Sequence, residues 1–530
     1  MDLLVVGLLY TLDPARPRAE AALARDGRFA CVGSLADCEA RARPGARRLE
    51  LGAGSAVPGI ADAHGHVLGW ARSLEEVSCA GLSTPAECAA RAARRARSLP
   101  TGAWLLGRGW DQNLWPGAAF PDERELSAAV PDRPALLIRV DGHAGWANAR
   151  ALAAAGIGAA SPDPPGGRIL RRADGSPSGV LVDAALEAVA RRVPEPTDPE
   201  RERLLSAALA SLVRLGLTAV HDAGVDGPTL EAYARLARQD RLPLRVYAML
   251  DGMAPEAVLR EQIDRWRREP VIGRLEVRAA KLYADGALGS RGAALLAPYA
   301  DDPGTTGLLL LQPAELRARL RLLAGAGLQP AVHAIGDRAC REVLAAFEQV
   351  EAELPLRALR PRVEHLQILR PEDAPRLART GAVASMQPTH ATSDGPWAER
   401  RLGHGTPAQL GAYAWRQALE SGAVLAFGSD FPVESPDPRL GLVAAEERIP
   451  AGAREAWMPG QRLSRLEALR AFTAGAAYAA RAEGRRGMIR EGFDADLTAF
   501  GGDVMAVPAA ALRELPVRAA VIGGRVEFER

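Results

Sequence analysis

Of the 66 basic residues in this 530-residue chain, Lys281 is the single lysine; every other one is arginine. A buried lysine amine can shed its proton and act as a nucleophile or base, whereas a guanidinium stays charged. Position 281 therefore needs an amine. It closes a strand-like run, Leu275-Glu-Val-Arg-Ala-Ala-Lys281, and four histidines and one aspartate stand at the ends of similar runs: His64, His66, His333, His365 and Asp430. In a strand, alternate residues share a face, so the His64-x-His66 pair points both imidazoles the same way. Imidazole is the usual ligand of zinc-like cations. Singly, each histidine is explained as well by a hydrogen-bonded core or loop position; together, at strand ends, they describe a metal centre.

The elements that must position these residues follow from the apolar runs. Eight strands are expected, at 56–64, 217–222, 244–250, 277–282, 329–333, 362–365, 382–386 and 424–429. From the second onward they alternate with helical stretches at 229–238, 255–268, 313–326, 337–354, 371–380 and 408–421, the rhythm of a TIM-like (β/α)8 barrel, whose chemistry sits at the C-terminal ends of its strands. About 130 residues separate the first strand from the next helix, too many for a loop. Residues 67–197 are therefore expected to be an inserted lid subdomain over the catalytic rim, with the barrel at 58–66 and 198–484. Residues 1–57 and 485–530 carry short β-like runs with turn signals at Asp26-Gly27 and Gly523-Gly524, and read as one composite β-sandwich domain built from both termini.

Composition narrows the function. With 48% apolar and 25% charged residues and a net charge of +1, the chain offers no field for nucleic acid. Its five scattered cysteines form no Cys-x-x-Cys pair, which argues against a disulfide framework or a thiolate zinc site. The apolar stretch at 3–10 is too short to span a membrane and lacks a signal peptide's basic start. A cytoplasmic protein without membrane or nucleic-acid partners is expected.

The segments Pro58-Gly-Ile-Ala-Asp62-Ala-His64-Gly-His66, Asp141-Gly-His143, Lys281-Leu-Tyr-Ala-Asp-Gly, Val332-His333-Ala-Ile-Gly-Asp337, Val363-Glu-His365, Ser385-Met-Gln-Pro388 and Gly428-Ser-Asp430-Phe-Pro432 resemble the amidohydrolase superfamily, and within it the YtcJ-like group that includes N-substituted formamide deformylases. The resemblance implies an α/β barrel hydrolase with two divalent metal ions, zinc by default. His64, His66 and Asp430 would hold one ion and His333 and His365 the other. Lys281, carbamylated by carbon dioxide, would bridge them, which explains why arginine cannot stand there. A hydroxide bridging the ions would attack a small-molecule amide, an N-formyl or N-acyl amine, with Asp430 moving the proton. His143, in the insert, is expected either to donate to the substrate carbonyl or to fix its loop, and His221 and Asp222 to orient or support. Five tryptophans of the insert (Trp70, Trp104, Trp110, Trp115 and Trp146) read as subdomain core or as pocket lining. A deaminase or cyclic-amide hydrolase on the same barrel is the alternative enzyme, and a non-catalytic small-molecule-binding barrel the alternative outside enzymes. A homodimer stays open.

Overall fold

The computed structural model of the chain describes residues 2–140, 142, 144–164 and 167–530, the side chains of Asn113 and Pro396 excepted. Backbone contacts divide it into two compact units, Met1–Leu68 with Leu205–Arg530, and Gly69–Leu204. No helix among the described residues is long and apolar enough to cross a membrane.

The larger unit holds eight parallel strands, each paired with the next: β1 (Ile60–Gly65), β2 (Leu217–Val225), β3 (Arg245–Asp251), β4 (Leu275–Tyr283), β5 (Gln329–Ala334), β6 (Arg362–His365), β7 (Val383–Met386) and β8 (Leu425–Phe427). Helices return the chain between them: α1 (Gly227–Arg238), α2 (Glu256–Arg268), α3 (Pro313–Gly325), α4 (Asp337–Glu351), α5 (Ala374–Thr380), α6 (Pro388–Leu402) and α7 (Trp415–Glu420). The start of α1 shows the local logic. The Asp226 side chain caps it by accepting from the Thr229 N–H, and Pro228 occupies the first turn, where a missing N–H costs nothing.

The (β/α)8 expectation holds, with three differences in detail. The first strand does not run on from residue 56. Residues up to Pro58 belong to another sheet, and Gly59 is the corner, where a Cβ would collide with Thr218 Oγ1 and lie 2.9 Å from Asp496 Cβ. The single helix expected at 408–421 is two short ones, Pro407–Leu410 and α7, because the Thr406 side chain caps a new start and Gly411 ends it. Before them α6 appears where no helix was expected, its sequence disguised by Gly395 and Pro396.

The segment after β8 closes the barrel onto β1. The Asp430 N–H donates to His64 O at 2.7 Å and the His66 N–H to Phe431 O at 2.8 Å. Asp62 clips the same seam, accepting from the His64 and Ser429 N–H groups at 3.0 and 3.1 Å and from Ser429 Oγ at 2.6 Å.

The seven strands Leu3–Tyr10, Arg18–Arg25, Arg28–Gly33, Arg47–Pro58, Leu497–Phe500, Val517–Ile522 and Arg525–Glu529 form one sheet. It curls until the Asp26-Gly27 turn meets the segment before Leu497, the Ala495 N–H donating to Gly27 O at 2.8 Å. Val5, Phe29, Leu49, Leu497 and Val521 then share a core. Both expected turn pairs, Asp26-Gly27 and Gly523-Gly524, have positive φ at both residues, as a two-residue type I′ hairpin requires.

The Gly69–Leu204 unit carries its own six-stranded sheet, with Trp110, Trp115 and Trp146 in its core. These three tryptophans are packing.

The seam at β8 generates a stability prediction. A Cβ on Gly428 would collide with the His64 backbone nitrogen and lie 2.6 Å from Asp62 Oδ1. Gly428→Ala should lower unfolding free energy by about 1–3 kcal/mol, measured by urea denaturation. The control Gly325→Ala, whose Cβ meets nothing within 4 Å, should be neutral or gain up to about 1 kcal/mol. Equal stabilities for the two would show that the seam tolerates a methyl group.

Candidate metal centre

At the C-terminal rim of the barrel, five of the six expected ligands are buried, and all six come together. Lys281 at the end of β4 is fully buried, its Nζ 3.2 Å from His64 Nε2. His64 Nε2 and His66 Nε2 lie 3.5 and 3.2 Å from the same oxygen, Asp430 Oδ1. The His365 ring is centred 4.8 Å from that of His64 and 4.5 Å from that of His333. Ligating atoms of His64, His365 and Asp430 lie within 4.8 Å of one another.

The ring nitrogens facing away from this centre decide the tautomers. His64 Nδ1 meets Glu364 Oε2 at 2.5 Å, His66 Nδ1 meets Ala223 O at 2.9 Å, and His365 Nδ1 meets Gln387 Oε1 at 3.0 Å. Each partner is an acceptor, so each Nδ1 carries hydrogen and each Nε2 presents a lone pair. His333 is arranged the other way, with Nε2 toward Gly286 O and Asp285 Oδ1, both at 3.5 Å, which leaves Nδ1 as the lone-pair nitrogen. His64 Nε2 and His66 Nε2 thus converge on one carboxylate oxygen, where a cation can replace the hydrogen that Asp430 otherwise draws onto His66. This donor set fits a divalent metal ion, with imidazole and carboxylate ligands and hydrogen-bonded outer partners.

Burial tunes the charges. It pushes His64 down to about 4 and His333 down to about 3, and takes His365 well below its ordinary value, so these rings are neutral near pH 7. Burial also works against His66, but the Asp430 carboxylate outweighs it and raises that imidazole. Asp430 itself is held well below the usual carboxylate range, its burial overcome by His66, His64 and His390. Lys281 falls to about 8 through burial, against the opposing pull of Glu364 and Asp430.

Beneath the ligands lies a group that the sequence reading did not single out. Arg362, on β6, is fully buried inside the barrel. It meets Glu364 Oε1 at 2.6 Å, donates to Ala63 O at 2.7 Å and Ser385 Oγ at 2.9 Å, and meets His221 Nδ1 at 3.0 Å. This guanidinium keeps Glu364 far below its ordinary pKa despite burial, and Glu364 in turn orients His64. His221 and Asp222 are buried beneath the rim, and Asp222 accepts from the Val67 N–H at 3.0 Å and the Tyr233 hydroxyl at 2.7 Å. Glu364 sits inside the Val363-Glu-His365 segment, so the signal was present but read only as a match. His390, in the first turn of α6, also reaches the site, its Nε2 3.7 Å from Asp430 Oδ2. Its clue was that only it and the exposed His404 remain unassigned among the eight histidines. His143 lies outside the described residues.

A cavity of about 340 Å³ opens on this centre, its floor formed by Lys281, His333, His365 and Asp430 and its walls by Tyr283, Leu288, Ile335, Trp397 and Val433. A cavity of similar size in the Gly69–Leu204 unit is lined by arginines, glutamates and Trp104 and contains no histidine; the chemistry belongs to the first.

Removing the guanidinium alone would leave the buried Glu364 carboxylate without its cation, held by the His64 Nδ1–H alone. Arg362→Met should therefore cost about 3–5 kcal/mol of stability, and Arg362→Met with Glu364→Gln should cost less than the single change. Urea unfolding of both variants checks this, and a single variant as stable as the parent would remove the ion pair from the account.

Residues 51–528 match the profile of the Amidohydrolase family. The chain is 33% identical to YtcJ of Bacillus subtilis (strain 168) over 534 residues, 99% of this chain and 98% of that one. It is 28% identical to the N-substituted formamide deformylase of Arthrobacter pascens over 547 residues, 100% and 98% of the two chains. An uncharacterized metal-dependent hydrolase of Pyrococcus furiosus superposes with a TM-score of 0.80 at 27% identity, covering 95% of this chain and all of that one. With nine-tenths of its length matched and the strand-end histidines assembled on one barrel rim, this chain belongs to the amidohydrolase family.

Proposed function

We propose that this protein hydrolyses a carbon–nitrogen bond outside peptides, in an N-formyl or N-acyl amine, at a centre of two divalent metal ions, zinc by default. The carrying observation is the convergence of His64 Nε2, His66 Nε2 and Asp430 Oδ1, with acceptors behind both rings that hold hydrogen on the outer nitrogens. His64, His66 and Asp430 would hold one ion, His333 and His365 the other, and Lys281 as its carbamate would span the two. Such ions supply Lewis acidity toward a carbonyl oxygen and lower the pKa of water. The burial that takes Lys281 down to about 8 favours the free amine that reacts with carbon dioxide. Kinship with the formamide deformylase supports an amide substrate, and the apolar wall of Leu288, Ile335, Trp397 and Val433 suits an uncharged substituent on its nitrogen.

The two oxygens of Asp430 divide the work. Oδ1 faces His64 and His66, while Oδ2 turns toward His390. Oδ2 is free to take a proton from the attacking water and hand it to the departing nitrogen, the contribution of a positioned acid–base group.

Two substitutions test this reading against a panel of formamides, N-acyl amines, cyclic amides and aminated heterocycles. Lys281→Arg should fold, yet lose bound metal by elemental analysis and most turnover, because a guanidinium neither forms the carbamate nor tolerates two adjacent cations. Full metal content with parental turnover in this variant would end the carbamate proposal. Asp430→Asn keeps the side-chain shape and should retain the ion at His333 and His365, while the rate falls by about 10²–10⁴. Turnover of a confirmed amide at near the parent rate would take the proton-transfer role away from Asp430.

A further inference from the structure

We propose, resting on the amide-hydrolase reading, that His390 is a further catalytic residue, donating its Nε2–H to the scissile carbonyl oxygen as that oxygen becomes negative. His390 is the third residue of α6, which leaves the rim directly after β7. It is 93% buried, by its 7% exposure, and lines the same cavity as Lys281, His333, His365 and Asp430. Its Nε2 has no hydrogen-bond partner. The acceptor it faces, Asp430 Oδ2, stands at 3.7 Å, beyond hydrogen-bond reach. Buried polar atoms are ordinarily satisfied, so an orphan that faces a cavity marks the place of a ligand atom.

Two further features give that ligand atom its sign. His390 Nε2 faces the carboxylate oxygen Asp430 Oδ2, which favours hydrogen on that nitrogen and makes it a donor, while at His64, His66 and His365 an acceptor behind the ring already holds hydrogen on Nδ1. Asp394, one turn along α6, is already engaged by Gln367 and the Tyr413 hydroxyl. The 15-residue α6 also directs its N-terminal end at this rim, and in the same turn Gln387 Nε2 and Thr389 Oγ1 are buried without partners. Unfilled donors at a helix N-terminus favour negative charge.

The step balances without a further reagent. The oxygen of water bonds to the carbonyl carbon, and the C=O electron pair moves to the carbonyl oxygen, where His390 donates a hydrogen bond and keeps its proton. Collapse restores C=O and breaks C–N. The nitrogen leaves with the proton carried by Asp430, giving a carboxylic acid and an amine. His390 thus takes, from within the barrel unit, the donor role that the sequence suggests for His143.

The test compares His390→Leu with His390→Gln, which keeps a donor, at parental metal content and melting temperature. With N-alkyl and N-aryl formamides, kcat should fall by about 10²–10³ in the leucine variant, the usual loss for one oxyanion donor, with KM within about threefold; the glutamine variant should retain about tenfold more than leucine. Calorimetry with methylphosphonate, a tetrahedral oxyanion probe, should show binding about tenfold weaker in His390→Leu than in the parent, with acetamide affected far less. Parental kcat in the leucine variant overturns the proposal, as does loss of metal, which would make His390 a ligand. If the parent turns over no amide, the hydrolase reading falls by itself, and methylphosphonate still decides His390: equal affinity in parent and leucine variant, or no binding by the parent, overturns it.

Discussion

A guanidinium at the axis of a barrel is an unusual foundation, since such interiors are ordinarily filled by branched apolar residues. Removing a charge from water is costly and is offset only when its donors are met. Arg362 meets most of that condition through its Nη groups, with Glu364 Oε2 on its own strand, His221 on β2, Ala63 O on β1 and Ser385 on β7, while its Nε pairs with Glu364 Oε1 by charge alone. Room is left by alanines: Ala279 shares a strand face with Lys281, and Ala331 shares one with His333. The consequence is directional. Arg362 fixes Glu364 as a carboxylate, Glu364 fixes hydrogen on His64 Nδ1, and His64 Nε2 is thereby left as a lone pair beside Lys281 and Asp430. Ligand chemistry at the rim is set by an ion pair one layer below it.

The same strand shows how the backbone departs from regularity to serve the site. Arg362 and Glu364 alternate onto the inner face, so a regular strand would turn His365 outward. Instead His365 and Leu366 adopt φ of 70° and 46°, a region that costs a non-glycine residue about 1–3 kcal/mol and is tolerated mainly at functional positions. Asp430, at φ 61°, does the same after β8. Two of the converging side chains thus owe their direction to strained backbone, and each is held by contacts around it: His365 by Gln387, and Asp430 by its N–H bond to His64 O.

How much of this could be read in the sequence follows from which signals are local. Barrel strands are apolar runs of predictable length, and chemistry stands at their ends, so His64, His66, Lys281, His333, His365 and Asp430 can be placed on one rim by counting. The lone lysine was legible because its alternative, arginine, fills every other basic position. Arg362 and Glu364 were hidden for the opposite reason: a charged residue in a short strand gives no local sign of whether it faces the axis or the solvent, and their meaning lies in partners some 140 to 300 residues away. His390 was hidden by its helix, whose Gly395 and Pro396 argue against helix formation; Pro388 at its N-terminus is in fact the compatible one. The five cysteines are buried, and Cys31 and Cys38, seven residues apart, bring their sulfurs to 3.0 Å, a contact that no Cys-x-x-Cys spacing announces.

Closing the barrel and completing the site are one event. The seam between β1 and β8 consists of Asp62 bound to Ser429 and of backbone bonds that join His64 to Asp430 and His66 to Phe431. The residues that carry the seam's hydrogen bonds are therefore the converging side chains themselves or their immediate neighbours. Gly65 and Gly428 allow the approach, since a Cβ on the first would strike the Phe431 ring and on the second the His64 backbone. A TIM-like barrel whose first and last strands meet loosely would still bury its hydrophobic core, but Asp430 would lie away from the His64–His66 pair. Small residues at the seam, which look structural, thus determine whether one carboxylate can be shared between two imidazoles while its second oxygen turns toward His390.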